Sequence, residues 1–117
     1  MAQTPEGRIK AEIKKLLDGM GFWRAGAKRP AVPVVGTYHM PVSSGLGTHG
    51  IPDFVGCWLG RRFDIEAKAP GGEPTPNQIN RHEEIRAAGG IVLVVDNVNT
   101  LREFFDTFQS EPWAQIR

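Results

Sequence analysis

Three ionisable residues at strand spacing could do chemistry together: Asp53, then twelve intervening residues, then Glu66 and, two positions on, Lys68. Between them run Phe54-Val55-Gly56-Cys57-Trp58-Leu59, a Gly60-Arg61 interruption, and Arg62-Phe63-Asp64-Ile65. Two apolar-rich runs of strand length around a glycine predict a β-hairpin. With Gly60-Arg61 as a two-residue turn, Asp53 falls opposite Lys68. Side chains alternate across a strand, so Asp53, Glu66 and Lys68 project from one face, and Phe54, Trp58, Phe63, Ile65 and Ala67 from the other, a core face. Converging carboxylates repel, and one stays protonated unless a cation joins them. A hard divalent ion satisfies such a pair and leaves positions open for phosphate oxygens; an adjacent ammonium can orient water and stabilise phosphoryl charge. The bland alternative is a solvated hairpin in which Lys68 and Asp53 form a cross-strand pair.

Helices and strands must position this hairpin. Thr4 is a good N-cap and Pro5 suits the first helical position. Ile9, Ile13, Leu16 and Leu17 recur at helical spacing until Gly19 and Gly21. Glu6 lies on the same stripe as Ile9, Ile13 and Leu17, where a carboxylate needs a partner or complements the helix dipole. Arg8, Lys10, Lys14 and Lys15 spread over the other faces, as solvated charges or phosphate contacts. Residues 22–24 could begin a strand, 25–33 read as a loop and 34–40 as a strand. The glycine-rich run 43–50 lacks the Gly-Lys-Ser/Thr ending of a P-loop and reads as a flexible loop beside the site. His49 within it could meet phosphate when protonated or be an ordinary surface residue.

After Lys68, Thr75-Pro76-Asn77-Gln78 makes a second helix start with an S/T-x-x-Q capping box. Ile79 and Ile85 support a helix to Ala88, ended by Gly89-Gly90. Residues 91–95 form an unbroken apolar strand, expected to be buried on both faces, and strand, helix and strand suggest a right-handed parallel crossover. From Asn99 a last helix carries Leu101, Phe104, Phe105 and Phe108 on one stripe, stopping before Pro112, with Trp113 and Ile116 beyond.

At 117 residues the chain is expected to be one domain, 1–117, with a core needing no staples. Its one cysteine, Cys57, excludes an intrachain disulfide and suits a reducing compartment. It reads as a small buried residue. His39, His49 and His82 lack zinc-ligand spacing. No apolar run reaches the roughly 18 residues of a membrane span. The net charge of +1 does not by itself announce a nucleic-acid partner, but the N-terminal segment is basic and the C-terminal one acidic.

Ile51-Pro52-Asp53, with Glu66-Ala67-Lys68 after twelve residues, matches the PD-(D/E)-x-K pattern of restriction-endonuclease-like nucleases. Gly50 before it, Gly71-Gly72 after it and Gln78 extend the match: from Thr4 to Asp96 the chain resembles the VRR-NUC family of virus-type replication-repair nucleases, especially its small stand-alone phage-type members. The resemblance implies an α/β fold with a restriction-endonuclease-like mixed sheet flanked by helices. It implies a DNA endonuclease dependent on Mg²⁺ or Mn²⁺, the metal held by Asp53, Glu66 and the Ala67 backbone carbonyl. Glu6 would be a third acidic group, Lys68 would position water, and Gln78 would contact phosphate or water. Lys10, Lys14 and His49 are the expected DNA contacts. The resemblance further implies a homodimer acting on branched DNA such as four-way (Holliday) junctions; with neither a signal-type apolar run near Met1 nor a run of membrane-spanning length, a cytoplasmic location, in a bacterial or phage-infected cell, is expected. Two competitors stay open: a DNA-binding module of the same fold with an inactive site, and an enzyme of small phosphate esters. No helix-turn-helix or zinc-finger spacing supports sequence-specific readout.

Overall fold

The computed structural model describes residues 3–42 and 50–108. Its first element, α1 (Pro5–Met20), starts where Thr4 accepts a hydrogen bond from the Gly7 amide and stops at Gly21, whose φ of 101° only glycine adopts without strain. Ile9, Ile13 and Leu17 are its buried stripe. Five strands and two helices follow among the described residues: β1 (Phe22–Arg24), β2 (Gly36–His39), β3 (Phe54–Trp58), β4 (Arg61–Ala67), α2 (Pro76–Ala87), β5 (Ile91–Val95) and α3 (Val98–Phe108), the fifth strand lying between the helices. The sheet runs β1-β2-β3-β4-β5. β2-β3-β4 are antiparallel, whereas β1 joins β2 and β5 joins β4 in parallel. The expected α/β fold, a mixed sheet flanked by helices, is therefore the one observed.

The hairpin is shifted from its expected register. Its turn is centred on Leu59 and Gly60, at φ 50° and 85°, and Trp58 pairs with Arg61. Positive φ at both central residues marks a type I′ turn, whose twist matches the flanking strands. Leucine rarely enters this region, which is why the expected turn fell one residue late. The shift moves the second strand by two residues, and with a side-chain period of two every residue keeps its face. Pairing of Phe54 with Ile65 brings Asp53 level with Glu66 rather than with Lys68.

One sheet face packs on α1 and α3. Phe54, Trp58, Phe63, Ile65 and Ala67 join Ile9, Ile13, Leu17, Phe22, Tyr38, Ile91, Val95, Leu101 and Phe105 in one apolar cluster. Trp58 packs on Phe63, Phe104, Phe105 and Phe108, the last three being the expected aromatic stripe of α3. The other face carries α2. Two expectations fail there. β5 is an edge strand with Val94 38% exposed, so it is not buried on both faces. Ile79 is 51% exposed while His82 is only 2% exposed; α2 turns inward a set in which only Ile85 is apolar, because what it covers is polar. Cys57 is only half-buried. The run 43–49 and residues 109–117, including Trp113, lie outside the described residues.

Candidate active site

β4 alternates strictly: Phe63, Ile65 and Ala67 enter the apolar cluster, while Asp64 and Glu66 lie on the α2 side, 0% and 2% exposed. Buried carboxylates demand partners. Asp64 takes both of its bonds from Arg62, Nε to Oδ1 and Nη2 to Oδ2, each 2.9 Å. Glu66 is held by α2: Gln78 Nε2 donates to its Oε2 at 3.1 Å, and His82 Nε2 lies 3.3 Å from its Oε1.

Asp53 closes the site from the end of β3. Its Oδ2 accepts a 2.8 Å bond from the Ala67 amide, which locks the carboxylate beside β4 next to Glu66. Its Oδ1 lies 3.1 Å from Lys10 Nζ, which also stands 3.8 Å from Glu6. Gly50 makes this approach possible: at φ 77° its hydrogen faces α2, and a Cβ there would stand 2.4 Å from the Asn77 carbonyl oxygen. The strap leading into Asp53 therefore lies directly on the first turn of α2.

The electrostatics follow from this crowding. Burial, the bond to Asp53 and the Asp53 charge push the Glu66 carboxyl up to about 8, with Lys68 acting in the opposite sense. For Lys10, burial is outweighed by the bond to Asp53 and by the charges of Asp53, Glu6 and Glu66, which together hold the ammonium above its ordinary value. Burial, then the Arg86 and Lys68 charges, lower His82 and favour its neutral imidazole. Lys68 is half-buried and follows Glu66 on the same face; its amide donates to the Val95 carbonyl at 2.9 Å, and Gly71 to Asp96 Oδ2 at 3.2 Å, so the segment leaving β4 is tied to the end of β5.

The structure thus gathers Asp53, Glu66, Lys68, Gln78 and, through Lys10, Glu6. Glu6 is peripheral, its side chain 41% exposed, and among the described residues no group of three His, Cys, Asp or Glu side chains is arranged so that all three could hold one metal ion. Gln78 caps the helix as its motif predicts and also reaches the acidic pair. Its Oε1 accepts from the Thr75 amide at 2.8 Å in a complete capping box, and its Nε2 serves Glu66. Lys10 faces the acidic pair, and Lys14 pairs with Asp18 at 3.6 Å along α1. His49 lies outside the described residues. The Ala67 amide is at Asp53, and its carbonyl belongs to the same peptide segment. His82 was missed from sequence, where only zinc spacing was considered; its position four residues after Gln78, hence on the same helix face, was the available clue.

These donors fit a hard cation. The remaining acceptor positions belong to carboxylate oxygens, and the pair already draws a cation from the chain itself, the Lys10 ammonium at Asp53 Oδ1.

No protein-family model matches the chain. A curated relative described as "Putative nuclease p44", from Acyrthosiphon pisum secondary endosymbiont phage 1, is 40% identical over 52 residues, which are 44% of this chain and 56% of the relative. The matched chain therefore spans little more than half of that relative's length. A solved structure described as "VRR_NUC domain" aligns with a TM-score of 0.66, covering 89% of this chain and 97% of its own, at 23% identity. The chain has the VRR_NUC fold.

Proposed function

We propose that this VRR_NUC-fold chain is a member of the VRR-NUC family and a metal-dependent DNA endonuclease that hydrolyses phosphodiester bonds. The observation that carries this reading is the apposition of Asp53 and Glu66, one carboxylate clamped by the Ala67 amide and the other by α2, with Lys68 beside them. The fold of a solved VRR_NUC domain and the likeness to a phage protein named as a nuclease support it.

Asp53, Glu66 and the Ala67 carbonyl would hold Mg²⁺ or Mn²⁺. When bound, the ion supplies Lewis acidity toward a phosphate oxygen and lowers the pKa of a water. The chain's own residues do the rest. Lys68 brings a positive charge to the same face, where it orients the attacking water and offsets charge that grows on the phosphoryl oxygens. Among the described residues it makes no ion pair within 4.0 Å. Gln78, rigid because its oxygen caps α2, keeps its amide donor aimed at Glu66. Glu6 holds Lys10 at the rim of the site.

Branched DNA such as a four-way junction as the substrate, and a homodimer as the acting form, rest on the family resemblance alone. The test is incubation of the purified protein with linear, flap and four-way-junction DNA, with chelator or with millimolar Mg²⁺ or Mn²⁺. Metal-dependent cleavage that favours the junction is expected. DNA binding without cleavage in every metal would select the inactive-module alternative.

A further inference from the structure

We infer that His82 is a positioning residue, fixing the orientation of the Glu66 carboxylate that would hold the metal; this rests on the metal-site reading above. His82 is 2% exposed while its neighbour on α2, Ile79, is 51% exposed. Apolar burial alone favours the opposite arrangement, because an inward imidazole must find a polar partner and an outward isoleucine wastes its apolar area. The partner is Glu66, also 2% exposed, whose Oε1 lies 3.3 Å from His82 Nε2. An ionised carboxylate only accepts hydrogen bonds, so against the ionised form the ring nitrogen carries the hydrogen.

The terminal torsion of a glutamate is soft, with no sharp rotamer of its own. A single anchor would leave the carboxylate free to rock. Glu66 has two anchors from successive turns of α2, one per oxygen: Gln78 on Oε2 and His82 on Oε1. A carboxylate offers about four lone-pair positions, so two anchors leave capacity for the contact with Asp53 and for a cation. Of the two anchors, Gln78 is the outer one and half-buried, and His82 is the inner one, sealed under the helix. Residues that orient a metal-binding group typically change metal affinity about 10- to 100-fold when removed, although they never touch the ion.

The experiment is calorimetric titration of the full chain with MnCl₂, on wild type, His82→Phe, His82→Leu and His82→Gln, each first melted in chelator to verify cooperative folding. The two apolar variants are expected to bind Mn²⁺ about 10- to 100-fold more weakly, and His82→Gln, which restores an N–H donor, to stay within about threefold of wild type on the same scale. Equal affinity in wild type and a folded apolar variant overturns the inference while leaving the nuclease reading intact. So does a His82→Gln affinity as low as that of the apolar variants, since the donor would then be irrelevant. If neither apolar variant folds, His82→Asn, with a shorter donor, decides by the same measure: weaker binding supports the role and equal binding ends it. Absence of Mn²⁺ binding in the wild type would instead defeat the metal-site reading itself, and this inference with it.

Discussion

The two faces of the sheet are built from alternate residues of one strand, yet they obey opposite rules. On the α1/α3 face, Phe63, Ile65 and Ala67 join a continuous apolar cluster with aromatic contacts from β1 to α3. On the α2 face, Asp64 and Glu66 are as deeply buried but every contact described for them is polar. Burying a carboxylate is unfavourable even when it is paired, and replacing such groups with apolar ones often stabilises a protein. Stability should therefore reside on the first face and chemistry on the second, with α2 a cover that holds polar groups in place rather than a source of apolar burial.

The largest expected effect tests the first half of that contrast. Trp58 is 2% exposed and ringed by Phe63, Phe104, Phe105 and Phe108. Trp58→Ala should destabilise the fold by about 3–5 kcal/mol, through lost transfer energy and the cavity left behind. Urea denaturation would measure it, and a loss below about 1 kcal/mol would show that the face does not carry the fold as these rules require.

Lys68→Ala tests the second half. Turnover should fall about 10²- to 10³-fold, the usual effect of removing one group that stabilises developing charge. Denaturation midpoint and Mn²⁺ affinity should stay near wild type, because Lys68 is neither in the apolar cluster nor a proposed ligand. A large fall in stability would make Lys68 a structural residue and blur the distinction between the faces.

The same contrast explains what could be read from the sequence. The apolar face was legible because periodicity reports it directly: Ile9, Ile13, Leu17 on α1 and Leu101 and Phe105 on α3 recur as helical stripes and are buried. The shared face of Asp53, Glu66 and Lys68 was legible despite a misplaced turn, because an error of two residues leaves strand parity untouched. The turn itself was not, since a leucine at φ 50° contradicts local preference. α2 was read from its caps correctly and from its apolar residues wrongly. Periodicity assumes that a buried face is apolar, and a helix that covers a buried carboxylate breaks the assumption. Lys10 was hidden for a different reason: its place between Asp53 and Glu6 depends on how α1 crosses the end of the hairpin, which spacing within α1 does not determine.

A pH titration of stability sharpens the comparison further. The Glu66 carboxyl is pushed up to about 8 in the fold by burial and by Asp53, against about 4.3 in an unfolded chain. Between these values the folded state holds a proton that the unfolded state has released, so stability in chelator falls as pH rises from about 4.3 to about 8 and levels off above. Glu66→Gln should flatten this slope and be the more stable protein at pH 8 without metal. Thermal melts in chelator across this range would check it. An unchanged slope in the variant would mean that Glu66 is not the group responsible.

The smallest expected effect separates the two tasks of one side chain. Gln78 caps α2 through Oε1 and serves Glu66 through Nε2. Glutamate is an equally good third residue of a capping box, because the box needs only an acceptor for the N-cap amide. Gln78→Glu should therefore keep the cap while putting a carboxylate oxygen where the donor to Glu66 had been. Gln78→Ala removes both functions. The alanine variant should lose about 0.5–1 kcal/mol from the cap, and the glutamate variant less than that at pH 5, where Glu66 is protonated and tolerates the new neighbour. Above pH 8 two carboxylates would face each other, so the glutamate variant should fall below the alanine one in chelator and recover more of its stability when Mn²⁺ is added. Melts of the three proteins at the two pH values, with and without Mn²⁺, read this crossing. If the two variants keep the same order at both, Gln78 is only a cap, and His82 is what anchors Glu66 to α2.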